Sequence, residues 1–336
     1  MSERRHYRLL SHPALWPLAG LLLLFAINLV FGKNFFSLEW RNGHLVGTLV
    51  DILKNGSLAM ILALGMTLVI STGGIDLSVG SVMAISGASV AILLEHGVES
   101  FPLILAAGLG IGILCGAING LLVSKARIQP IVATLTLMVA GRGLAMLITD
   151  SRKMDIASDG FHFLGSGFIF GLPVAPILVS VIYLITWTVL RQTSAGLFLE
   201  AAGDNETAGR FAGLATVRIK CLAYVFCGLC AAIAGCFEAS FIGQANPMDA
   251  GQNMELDAIF AVVIGGTALS GGRFNLLGSF IGALMLQTLT TTMYDVGVPP
   301  SVAPVPKALL IIVVCLAQSE TMRKWVGSLM TRKATA

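Results

Sequence analysis

Four ionisable side chains fall inside, or at the mouths of, long apolar runs: Asp76, Arg142, Glu238 and Asp257. Charge is expensive in hydrocarbon, so such residues face a bundle interior or a polar cavity. The chemistry open to them is ion pairing or the lining of a polar path. Arg142 lies 13 residues into its apolar run, counted from Pro130, or roughly 20 Å along a helix. In the threading derived below, Glu238, Glu255 and Asp257 share its outer half. There an Arg142–carboxylate pair that locks helices together and a polar vestibule are compatible readings. Asp76 falls at the inner end of its run, followed by Ser78. It is expected to satisfy free backbone N–H groups at the start of the next helix.

Neutral polar residues dot the other runs: Asn119, Gln129, Thr134, Thr136, Asn275 and Gln287. Such donors and acceptors suit a sugar, whereas an ion path would favour carboxylates. Helix–helix hydrogen bonds use the same residue types, so both readings stand.

Other chemistries find no support. The sequence has no GxxxxGK[ST], no HExxH and no GxSxG. The six cysteines all sit in apolar segments. Cys227-Gly-Leu-Cys230 has CxxC spacing without a second pair or a strand–helix redox context, and reads as small residues at a helix contact. Neither a catalytic centre nor a metal site is expected. If the chain drives uphill movement with ATP, another chain hydrolyses it.

The elements that position these residues are membrane-length. Of 336 residues, 56% are hydrophobic and 12% charged, about half the charge of an average soluble domain. Ten apolar segments are expected, near 14–31, 48–70, 77–94, 101–124, 129–149, 173–190, 217–242, 256–271, 275–294 and 306–319. The first follows Arg4, Arg5 and Arg8. It is longer than a signal-peptide core and lacks a small-x-small cleavage site after it, so it reads as an uncleaved span. With the N-terminus inside, 14 of the 21 Lys and Arg fall on cytoplasmic segments, as the positive-inside rule requires. Both termini are then cytoplasmic, and 32–47, 150–172 and 243–255 lie outside.

Gly108, Gly112, Gly116 and Gly120 recur every four residues, which lines one helix face for close approach of a neighbour; Gly278 and Gly282 repeat the spacing once. Gly73-Gly74-Ile-Asp-Leu77-Ser78-Val-Gly80 echoes Gly265-Gly266-Thr-Ala-Leu269-Ser270-Gly-Gly272. An internal repeat with Gly-broken helices and two converged tight turns are equally good accounts of that echo.

One sizeable polar interval, Arg191 to Lys220, falls on the cytoplasmic side. Leu197–Gly203 is expected to form a short helix after Ser194, stopped by Gly203. Asp204-Asn205-Glu206 opens a second, whose apolar face carries Ala208, Phe211, Ala212 and Leu214. Two short amphipathic helices suit a groove on a soluble partner.

These residues carry a resemblance. Gly196, Glu200, Ala201, Gly203, Asn205, Ala208, Gly209 and Gly213 form a pattern similar to the coupling loop of sugar ABC-importer permeases. Stretches 65–87, 119–143 and 255–272 resemble the ribose/xylose/galactose permease family at corresponding places, and GGRFNLLGS (271–279) is most similar to galactofuranose-type members. Ribose-type members tend to have Gly at the position of Phe274 and Thr at that of Ser279. The resemblance implies an all-α polytopic membrane protein of about ten transmembrane helices with the vitamin-B12-permease-like fold. It would be a single permease domain over 1–336, with 191–216 as its coupling loop. It also implies a monosaccharide importer built with a second permease copy or related permease, a cytoplasmic ATPase that uses ATP and Mg, and a periplasmic sugar-binding protein. This chain would bind no cofactor. An ion-coupled secondary sugar transporter is the alternative; it would want a charged relay near mid-membrane and would not need a docking loop.

Overall fold

The computed structural model describes residues 15–31, 35–41 and 43–318. The basic residues expected inside at the two termini lie outside these.

The apolar runs form helices because each is rich in Leu, Ile, Val and Ala and bounded by Gly, Pro or polar residues. In chain order they are α1 (Leu15–Phe31), α2 (Thr48–Ser71), α3 (Val79–Glu95), α4 (Phe101–Ser124) and α5 (Pro130–Ile148). After a small helix, α6 (Asp159–Ser166), come α7 (Val174–Gln192), α8 (Ala195–Asp204), α9 (Glu206–Phe211) and α10 (Thr216–Ile242). The last three are α11 (Met254–Ile264), α12 (Leu276–Asp295) and α13 (Pro304–Gln318). Among the described residues, six helices are long and apolar enough to cross a bilayer: α2, α4, α5, α7, α10 and α12. Short antiparallel strand pairs gather at the end opposite α8 and α9. They are β1 (Glu39–Arg41) with β2 (His44–Val46), β3 (Met154–Asp155) with β6 (Gln244–Ala245), and β4 (Phe168–Ile169) with β5 (Leu172–Pro173).

α2 is the central post. Its segment from Gly56 to Ser71 is buried throughout, surrounded by α10, α12, α11, α7 and α8. The glycine stripe of α4 packs on α10 at backbone distance. A Cβ on Gly112 would lie 2.4 Å from the Gly228 carbonyl oxygen, and one on Gly116 would lie 2.4 Å from that of Tyr224. Contacts this close leave no room for even a methyl group. The CxxC pair does the same work: a Cβ on Gly65 of α2 would meet the Cys227 Cα at 2.9 Å. All five cysteines with described side chains are free. Gly278 and Gly282 of α12 face the Gly265 and Ala261 carbonyls of α11 in the same way.

Two elements depart from the sequence reading, and they concern the site. The expected span over 256–271 is a helix of only 11 residues, Met254–Ile264, about 16 Å long against a hydrocarbon core of about 30 Å. Gly265-Gly266 ends it, with Gly266 at φ +83°, and turns fill the rest. Asp76, expected at the end of the bundle, is instead 1% exposed within it. The segment 72–78 climbs from the end of α2 into the bundle before α3 begins.

Candidate translocation path and coupling junction

Asp76 lies on that climbing segment. Its Oδ1 accepts from the Ser78 backbone N–H (2.9 Å), the Ser78 hydroxyl (2.6 Å) and the Asn119 side-chain amide (3.3 Å). The Asn119 amide also donates to Ser78 Oγ at 2.9 Å. Asp76 thus satisfies the N–H of Ser78, just ahead of α3, and not those of the first helical turn; it organises an Asx turn that leads into the helix. Asn119 sits five residues from the last residue of α4, so the cluster lies about 7.5 Å inside that end. Thr134 of α5 and Tyr224 of α10 each donate to the Ile75 carbonyl at 3.4 Å, so three helices hold the segment. The Asn119 Oδ1 is buried without a hydrogen-bond partner.

A second polar group lies further along. Arg142 donates through Nη1 to the Pro247 carbonyl (3.2 Å) and the Ala250 carbonyl (2.5 Å). Glu238 accepts the Gly251 N–H through both oxygens, at 3.0 and 3.3 Å. The expected Arg142–carboxylate pair is therefore replaced by two side chains of opposite charge gripping one segment, 247–251, from different helices. Glu255 opens α11 against Gly80 of α3, where a Cβ would lie 2.6 Å from its Oε2. Asp257 is committed to Lys307 of α13 at 2.7 Å.

Asn275 and Gln129 stand apart from both groups. Asn275 caps α12 by accepting from Gly278 N–H at 3.1 Å, and donates to the Gly265 carbonyl at 3.0 Å, strapping the end of α11 to the start of α12. Gln129 precedes α5, exposed and with no side-chain cap bond.

The polar insert forms two helices, as the spacing predicts, but Gly203 is not a stop. α8 runs through Asp204, and Gly203 is where it touches the bundle. A Cβ there would lie 1.8 Å from the Ser71 carbonyl oxygen and 2.7 Å from the Gly272 nitrogen. Gly272 N–H in turn donates to that Ser71 carbonyl at 2.9 Å. Three backbones meet at this point: the end of α8, the end of α2 and the loop after α11. The two echoing Gly-Gly segments also touch here, since a Cβ on Gly271 would meet the Gly73 nitrogen at 2.8 Å. Gly196 is buried against the Leu190 carbonyl at the other end of α8. Asn205 caps α9 by accepting from Ala208 N–H at 2.9 Å. Gly213, at φ +85°, turns the chain out of α9 with open space around it. Glu200 and Ala201 are half-buried on α8, and Ala208 is exposed on α9.

Glu206 is bonded to both Arg210 and Lys220, which fastens α9 to the start of α10. Burial would raise its carboxyl, but the hydrogen bonds and charges of Lys220 and Arg210 outweigh it and hold Glu206 below the usual carboxylate range. The outward side carries Phe211, 89% exposed, and Leu197, 67% exposed. Both are large apolar side chains left uncovered on a loop that ion pairs brace. Composition alone had placed Phe211 on an apolar face, without showing that this face looks away from the protein.

Comparison with known proteins places the chain. A family model described as "Branched-chain amino acid transport system / permease component" matches residues 48–315. The galactofuranose transporter permease protein YtfT of Escherichia coli K12 is 44% identical over 326 residues, covering 95% of both chains. The fructose import permease protein FruF of Bifidobacterium longum is 36% identical, over 97% of this chain and 93% of that protein. The ribose import permease protein RbsC of Escherichia coli K12 is 37% identical, over 90% and 92%. No solved structure matches. The chain is a polytopic membrane protein and belongs to this permease-component family, together with import permeases for galactofuranose, fructose and ribose.

Proposed function

We propose that this chain is the membrane-spanning subunit of an ATP-driven importer that moves a monosaccharide across a bacterial inner membrane by alternating access. The observation that carries the reading is the insert: it is wedged against the bundle at Gly203 and presents Phe211 and Leu197 outward. A secondary transporter has no use for such an element. ATP and Mg act in a separate ATPase chain that receives α8 and α9. A sugar-binding protein delivers substrate to the opposite end, and a second permease copy or related permease completes the pathway. On this reading ten helices cross the membrane or enter it, both termini are cytoplasmic, and Asp76, Ser78, Asn119, Thr134, Arg142, Glu238 and Glu255 border the path. The sugar is galactofuranose or a related pentose or hexose. The name of the 44% identical galactofuranose relative and the GGRFNLLGS stretch favour the first.

The test is reconstitution in liposomes with the cognate ATPase and binding protein. ATP-dependent uptake that requires the binding protein is expected, with no uptake under a proton gradient alone. Uptake by the permease alone under that gradient would replace this reading with ion coupling.

A further inference from the structure

The segment between β6 and α11 is folded on itself by its own hydrogen bonds. Asn246 Oδ1 accepts from Met248 N–H at 3.2 Å, its amide donates to Asp249 at 2.6 Å, and Ala250 N–H closes the turn on the Asn246 carbonyl at 2.9 Å. Gly251 (φ +64°) then brings the backbone against Gly80, where a Cβ on Gly80 would lie 2.3 Å from the Gly251 oxygen. Arg142 holds two carbonyls of this segment and Glu238 holds its Gly251 N–H. Against it lies a small, partly open cavity of about 60 Å³, lined in part by Ala84, Gly87, Gly235, Glu238 and Asp249. That volume holds about two water molecules, far below the several hundred Å³ of a small-molecule site.

We infer that residues 246–251 are the gate of the sugar path at the end opposite the insert, and that Arg142 and Glu238 are its latch. Each latch residue grips backbone only, so the grip does not depend on the side chains of the gate. Arg142 and Glu238 sit on α5 and α10, while the gate continues directly into α11. The far end of α11 leads through Gly265 to Gly272 and so to the junction at Gly203. Displacing α11 toward the insert pulls the gate off both latch residues at once and opens the small cavity to a sugar. The inference rests on the proposed sugar path, but its test uses neither ATPase nor sugar, so its failure leaves the uptake experiment standing.

Ala84, 2% exposed, lines the cavity. In membrane vesicles, Ala84→Cys is labelled with an impermeant maleimide from the side of the gate and quantified at residue 84 by mass spectrometry. Cys227, buried deeper beside α2, is read in the same sample as a control for general loosening. The expected result is labelling at least tenfold faster when Arg142→Gln or Glu238→Gln is added, with Cys227 unchanged. An unchanged rate at residue 84 in both variants, or a parallel rise at Cys227, overturns the latch.

Discussion

The junction beneath the insert and the latch at the gate are built from opposite materials. At Gly203, Ser71 and Gly272 backbones touch with no side chain between them, and a single added carbon would overlap the Ser71 oxygen. At 247–251 two long charged side chains reach across space to hold backbone groups. Close-packed backbone has one arrangement and transmits displacement without slack. Side-chain hydrogen bonds can break and re-form with little net change, since each is worth only about 0.5–3 kcal/mol. On the proposed reading, the part that conveys motion and the part that opens are thus distinguishable by construction, and α11 joins them.

That contrast can be broken most severely at the junction. Gly203→Ala is expected to displace α8 and abolish ATP-coupled uptake while the chain still inserts. Gly213→Ala, in open space at positive φ, costs only about 1 kcal/mol of backbone strain and retains most uptake. Equal effects of the two would mean that steric contact at Ser71 is not what matters. A smaller effect is expected on the outer surface of the insert. Phe211→Ala leaves the thermal stability of the permease unchanged but weakens its association with the ATPase about tenfold or more, as for an interface anchor worth over 1.4 kcal/mol. Titration of detergent-purified permease with labelled ATPase measures it.

The smallest effect is electrostatic. Glu206 is held below its ordinary range by Lys220 and Arg210. Its contribution to bracing α9 is therefore present above the ordinary carboxylate range and is lost as pH falls through its lower, folded-state value. Hydrogen exchange over residues 206–212 should be constant from pH 8 to 6 after correction for intrinsic rates, and Glu206→Gln should raise it at neutral pH. A protection change centred near neutrality would assign the brace to another group.

Much of this was legible in the sequence. The helix at 101–124, the glycine stripe and the two-helix insert follow from spacing alone, because α4 is a regular helix whose neighbour is chosen by absent side chains. Short α11 and the climbing segment 72–78 were not legible. The run around α11 is as apolar as a full span, while 72–78, Thr-Gly-Gly-Ile-Asp-Leu-Ser, has the composition of a surface turn, and burial against α4, α5 and α10 keeps its non-helical backbone at that depth. Arg142 and Glu238 hold backbone groups of residues 247–251. Their partners were missed because backbone carbonyls and N–H groups leave no trace in side-chain composition. Gly203 shows a related limit: a glycine needed for close approach and one needed for a turn look the same in one dimension.

The connection between the two regions is the central claim, and one measurement addresses it directly. In the reconstituted complex, labelling of Ala84→Cys from the gate side is followed with and without ATP turnover. The account predicts that turnover changes the labelling rate several-fold in the parent protein and leaves it unchanged once Gly203→Ala is introduced, with the ATPase still bound. The same turnover-dependent change in both would show that the gate is moved by a route that bypasses the junction.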